Sequence, residues 1–176
     1  MRARYVVDTN VLIAASAGDP VHPKDIDATP DDPALRAQVW DWLNAFQESD
    51  ARLVLDLAGK IYDEYNHKVG FNDFGIQVVM HKWSTAAVDD VPVDYDQDGH
   101  GVLPASLDAA IHDKADKKMV AAALAAQAEL GEGCVAFAGD TDWHDWEATL
   151  SAHQVLLEPI IEAWSRQKHA EKQHRP

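Results

Sequence analysis

Two short apolar runs, each closing on an aspartate, constrain this chain more than any other feature. Tyr5-Val6-Val7 ends at Asp8, and Cys134-Val135-Ala136-Phe137-Ala138-Gly139 ends at Asp140. Apolar runs of this length without polar alternation read as strands buried on both faces, the kind found in parallel sheets covered by helices. A carboxylate at the end of such a strand costs several kcal/mol unless a positive charge meets it. The counter-charge that a set of oxygen ligands suits best is a hard divalent cation.

The rest of the chain supplies the covering helices. Residues 4–8 read as a strand and 9–17 as a short helix starting at Thr9 or Asn10, both good N-cap types. Residues 18–33 form a loop rich in Pro and Asp, and Pro33 opens a helix over 33–48 with Leu35, Val39, Trp42 or Leu43, and Phe46 on one face. A strand follows near 52–56, a helix over 59–69, and a short helix within 70–84 that turns Phe74, Val78 and Met80 inward. Residues 86–103 read as a second acidic loop. The Ala-, Lys- and Glu-rich segment 112–130 is the clearest helix and stops at Gly131-Glu132-Gly133. A strand over 134–139, a helix over 143–152, a strand over 155–157 and a helix over 160–169 complete the order. This alternation predicts an α/β fold: three layers, α/β/α, around a mostly parallel central sheet. In such sheets ligands gather beyond the carboxyl ends of the strands, where both Asp8 and Asp140 belong.

The chain has 176 residues, 47% of them hydrophobic, enough for one domain with a real core over 1–176. Its single cysteine, Cys134, excludes an intrachain disulfide and a cysteine zinc cluster. No apolar stretch approaches the length of a membrane span, and Met1-Arg2-Ala3-Arg4 runs into a strand with no signal-peptide pattern, so a cytoplasmic protein is expected, with no membrane partner. The formal net charge is −15, which argues against a protein that coats long nucleic acid, because that task needs a basic surface. Arg166, Lys168, Lys172 and Arg175 make the end of the chain basic, a tail over 166–176 that is expected to be solvated and frayed.

Two further acids belong with the first pair. Asp116 heads the stripe Asp116–Val120–Ala123–Gln127–Leu130, the core-facing spacing of the clearest helix. Helix-end electrostatics would explain an acid there, but Asp113 could do that work equally well. Glu64 lies three residues after Ile61 and beside Tyr65, close to the buried side of its helix, while Asp63 points elsewhere. Asp142 either caps the helix that follows or completes a metal site. Taken singly, each acid has a structural reading. As a set delivered from separate segments to one sheet edge, they point to a divalent-metal phosphodiesterase site.

Val6-Val7-Asp8-Thr9-Asn10-Val11-Leu12, Ile61-Tyr62-Asp63-Glu64-Tyr65, the segment from Asp113 through Asp116 to Leu124, and Gly139-Asp140-Thr141-Asp142-Trp143 together resemble the PIN-domain family. The resemblance covers nearly the whole chain in the right order and makes Asp8, Glu64, Asp116 and Asp140 the four catalytic acids. It implies metal ligation by Asp8, Asp116, Asp140 and Asp142, with support from Thr9, Asn10 and Thr141. It also implies an endoribonuclease using Mg²⁺ or Mn²⁺ that cuts single-stranded regions of RNA to leave 5′-phosphate and 3′-hydroxyl ends. Many small members are VapC-like toxins, so the expected partners are an RNA substrate, an antitoxin protein and a second copy of the chain in a homodimer. The chain departs from the compact toxin pattern in its extended loops, 18–33 and 86–103, and in the wide spacing from Asp8 to Glu64. RNA and DNA both stay open as targets, as do one and two metal ions.

Other functions meet obstacles in particular residues. A catalytically inactive PIN-fold interaction module has no electrostatic reason to keep four mutually repelling acids. An aspartyl-nucleophile phosphatase needs a second acid two residues after the first, where Asn10 stands. A receiver domain could use Asp56 but lacks a late lysine after its strands. The loop Asp94–Gly99 matches the first half of a calcium loop, with Ala105 where a bidentate Glu is required. His112 and His144 flank the acids and could move protons or bind phosphate, although a helix-start or surface histidine is the ordinary reading. Among the six tryptophans, Trp143 and Trp146 bracket the proposed site, where stacking on bases competes with plain packing.

Overall fold

The computed structural model describes residues 1–174. Arg175, counted above in the basic tail, lies outside the described residues. Five strands, β1 (Arg4–Val7), β2 (Arg52–Asp56), β3 (Val88–Val91), β4 (Gly133–Phe137) and β5 (Val155–Pro159), form one sheet in the order β3-β2-β1-β4-β5. Every pairing is parallel. The helices are α1 (Thr9–Ala17), α2 (Pro33–Glu48), α3 (Lys60–Lys68), α4 (Phe74–Ser84), α5 (Ala105–Ala110), α6 (Lys117–Leu130), α7 (Trp143–Ala152) and α8 (Glu162–Gln173). They flank the sheet in a three-layer α/β/α arrangement. Helix α6 packs against all five strands, while α1, α2 and α4 pack on one another.

Burial explains why these segments take these shapes. Tyr5, Val6 and Val7 in β1 and Cys134 to Phe137 in β4 are almost completely covered, and each large apolar side chain so placed stabilises the fold by about 1.5–3 kcal/mol. Helix α1 is apolar on most sides because neighbours enclose it: Val11, Leu12, Ala14, Ala15 and Ser16 are all buried. Tyr5 meets Trp42 edge-on at 5.3 Å between ring centroids, and Trp42 stacks on Phe46 at 5.7 Å. Trp40 sits on Phe74 at 5.3 Å. Both tryptophans of α2 thus flank its buried face, where Val39, Leu43 and Phe46 lie.

Four segments differ from the sequence reading, the first being α5, a short helix in a stretch to which the sequence assigned no element. The loop expected over 86–103 contains the edge strand β3, hidden by its two aspartates. Asp89 accepts from Arg4 Nε and Arg52 Nε, each at 2.8 Å, so an acid tolerated at a sheet edge is neutralised there. Helix α6 starts at Lys117, not near residue 112, because Asp113 accepts from Ala115 N at 2.7 Å and closes a turn before it. The tail expected to fray is helical to Gln173. Arg166 pairs with Glu147 and Glu162, Lys168 with Glu171 and Lys172 with Asp142. Among the described residues, its Arg and Lys side chains are therefore spent on neighbouring acids and do not form a free basic patch. Among the described residues no helix is long and apolar enough to cross a membrane.

Strand order decides where a site can form. β2 and β3 extend to one side of β1, and β4 and β5 to the other, so the winding reverses between β1 and β4. The connections leaving two such strands go opposite ways and leave a crevice at their carboxyl ends. Asp8 follows β1 directly, and Asp140 stands three residues beyond the end of β4.

Candidate metal centre at the sheet switch point

Asp8 is itself the N-cap of α1, one residue earlier than expected, and accepts from Asn10 N at 3.4 Å. Its backbone N–H donates to Ala136 O at 2.9 Å, continuing the β1–β4 ladder to the acid. Asp140 lies in the turn after β4. Asn10 holds that turn by accepting from Gly139 N at 2.9 Å. A Cβ on Gly139 would stand 2.1 Å from Thr29 O and 2.6 Å from Asn10 Oδ1, so only glycine lets these segments meet. Thr29 belongs to the 18–33 loop, which Arg36 pins by donating to Ala28 O at 2.6 Å and to Pro30 O at 2.5 Å. One of the two long loops therefore packs against the candidate site.

Glu64 comes from α3, which is fixed by Ile61 and by Tyr65, whose buried hydroxyl donates to the Val7 carbonyl. Thr9 Oγ1 donates to Glu64 Oε1 at 2.5 Å, and Lys118 Nζ reaches Glu64 Oε2 at 2.5 Å. Asp116 occupies the N-cap position of α6 without making a side-chain cap. Asp142 holds the same position on α7 and does not cap either: its N–H donates to Asp140 Oδ1 at 2.9 Å and its carboxylate pairs with Lys172. Thr141, half-buried between these two acids, accepts from His144 N through its carbonyl.

The four acids from four segments act on one another. Burial first, then the Asp140 and Glu64 carboxylates, push Asp8 up to about 7. Burial, then Asp8, Asp140, Asp113 and Glu64, push Asp116 to about 9. Asp140 is raised by burial and then by Asp142 and Asp113. Asp8 is only 5% and Asp116 only 9% exposed, and one buried oxygen of each, Oδ2, has no hydrogen-bond partner. Two partnerless, nine-tenths buried carboxylate oxygens on acids whose charges act on each other suit a hard cation that takes oxygen ligands. No three of these acids bring ligand atoms within 4.8 Å of one another, however. Among the described residues the group that does is Asp96, Asp98 and His100. That group lies in the exposed acidic loop, and Asp96 is already engaged by the N–H groups of Asp98 and His100 at 2.9 Å.

The side residues sort themselves by burial. His144 is buried, its Nε2 2.9 Å from Ser165 Oγ, and burial followed by the Arg166 charge lowers its pKa. It packs α7 on α8, and His112 is exposed. Trp143 and Trp146 are core residues, 0% and 2% exposed, which removes them as base-stacking platforms. The Trp143 indole N–H lies close enough to Asp8 to favour its charged form, yet makes no hydrogen bond of good geometry. Sequence reasoning missed Lys118, Tyr65 and Gly139. Glycine beside an acid at a strand end is a legible signal, whereas the Lys118 partnership is visible only in three dimensions. No family model, curated protein or solved structure matches this chain.

Proposed function

We propose that this chain is a Mg²⁺- or Mn²⁺-dependent endoribonuclease of the PIN-domain type. One observation carries the reading: acids from four segments converge at the switch point of a parallel sheet, and buried oxygens of Asp8 and Asp116 lack any partner. Asp8 and Asp116, each with a partnerless buried oxygen, are the residues that would hold the ion, with the Asp140 carboxylate acting on both. A divalent ion bound there supplies Lewis-acid polarisation of a phosphoryl oxygen and a water acidic enough to attack at neutral pH. The protein's own contribution is positional. Asn10 and Gly139 fix the turn that carries Asp140, Thr9 orients Glu64, and α6 delivers Asp116 uncapped. Asp142, tied to Lys172, supports the turn through its N–H.

The test is incubation of labelled single-stranded RNA with the protein and Mn²⁺ or Mg²⁺. Cutting that leaves 5′-phosphate ends and disappears in Asp8→Asn and Asp116→Asn is expected, with single-stranded DNA as the parallel substrate. Cutting that survives both substitutions would overturn the site assignment. Within the same reading the chain is the toxin of a toxin–antitoxin pair, and growth arrest on induction, relieved by Asp8→Asn, tests that role. The absence of a three-acid group within 4.8 Å at this site favours a second reading, an inactive interaction module of the same fold. A chain that binds no Mn²⁺ in calorimetry and cuts nothing would support it.

A further inference from the structure

Glu64 differs from the other three acids in being fully engaged. One oxygen accepts from Thr9 Oγ1 and the other pairs with Lys118 Nζ, both at 2.5 Å. Lys118 also donates to Ala115 O at 2.8 Å, within the turn that presents Asp116. The Lys118 and Glu64 side chains are only 13% and 22% exposed, so water competes weakly for either charge, and breaking the pair would leave both poorly solvated. Thr9, in turn, directly follows Asp8 and is 6% exposed. Glu64 is thus clasped by residues adjoining Asp8 and Asp116, while Asp8 and Asp116 themselves keep partnerless oxygens.

We propose that the Lys118 ammonium is a built-in cation standing where a second metal ion would otherwise sit, so that the centre takes a single divalent ion on the partnerless oxygens of Asp8 and Asp116. The inference rests on the metal-dependent reading above and adds its stoichiometry. Lys118 is a positioning residue here. It holds Glu64 away from ligation, and with Glu64 and Thr9 it straps α3 to α1 and to the head of α6. A lysine suits the task because its compact charge offers three donors, two of which are already used.

Calorimetric titration of the full chain with Mn²⁺, paired with electron paramagnetic resonance counting of bound ions, decides the point without measuring cleavage. Wild type and Lys118→Arg are expected to bind one ion per chain, and Lys118→Met to gain a second. Glu64→Gln is expected to keep one ion, and circular dichroism melts check that each variant is folded. Two ions on the wild type, a single ion on folded Lys118→Met, or loss of the ion in folded Glu64→Gln would each overturn this inference and leave the nuclease reading standing. If Lys118→Met does not fold, the wild-type count and Glu64→Gln decide. A wild type that binds no Mn²⁺ overturns both.

Discussion

An aspartate at a helix N-cap normally turns its carboxylate back onto the free N–H groups and contributes about 1 kcal/mol. Asp116 forgoes that bond, sits nine-tenths buried, and leaves Oδ2 without a partner beside Asp8. Both acids are raised, to about 9 and about 7, so the metal-free folded state holds protons that the unfolded chain has already released above a pH of about 4. The sign follows. Their contribution favours folding fully below pH ~4 and is lost as pH rises through the folded values, by at most about 1.4 kcal/mol per pH unit for each group. In chelator, thermal melts are therefore expected to fall from pH 5 to pH 9, and Mn²⁺ to restore stability most at the alkaline end. Asp8→Asn/Asp116→Asn should flatten that slope. A chelated wild type as stable at pH 9 as at pH 5 would show that these carboxyls are not buried together. The same single substitutions are expected to lower metal-dependent cutting by about 100-fold or more, the scale of removing one charge-stabilising group from an active site.

At the scale of elements, the site depends on three joints. Helix α1 meets the turn after β4 through Asn10 and Gly139, α3 meets β1 through the Tyr65 hydroxyl, and α6 meets α3 through Lys118 and Glu64. Gly139→Ala would drive a methyl into the Thr29 carbonyl. It is expected to cost about 1–3 kcal/mol in urea unfolding, as overpacking does, and to reduce cutting further than the stability loss explains, because Asp140 moves with the turn. Asn10→Ala should cost about 1 kcal/mol by removing one hydrogen bond. Element boundaries show where pattern reading reaches its limit. Hydrophobic period gave β1, β2, β4, α2 and most of α6, because burial writes itself into residue order. It missed β3, whose Asp89 is explained only by Arg4 and Arg52 arriving from neighbouring strands. It also began α6 too early, because the Asp113 turn competes locally with helix.

For the whole molecule, the dominant quantity is a net charge of −15, with the cations of α8 already paired to neighbouring acids. A polyanionic substrate therefore approaches against a repulsive field. Raising monovalent salt from about 10 to about 150 mM shortens the Debye length from roughly 30 Å to roughly 8 Å, so KM for a short RNA is expected to fall. A basic nuclease would respond with the opposite sign. Initial-rate measurements at fixed free Mn²⁺ check this, and a KM that rises with salt would point to a cationic substrate path that the paired α8 residues do not supply.

The fold class was written in the order of apolar runs and helical stripes, and so was the candidate role of Asp8 and Asp140, since a carboxylate closing a buried strand advertises a cost that burial alone cannot explain. What residue order could not contain was which charges meet. Lys118 finds Glu64, Lys172 takes Asp142, and Asp8 and Asp116 are left without partners for one oxygen each, and both pairings join residues far apart in the chain. Electrostatic partnership acts through space over a few ångströms, and only the folded chain sets those distances.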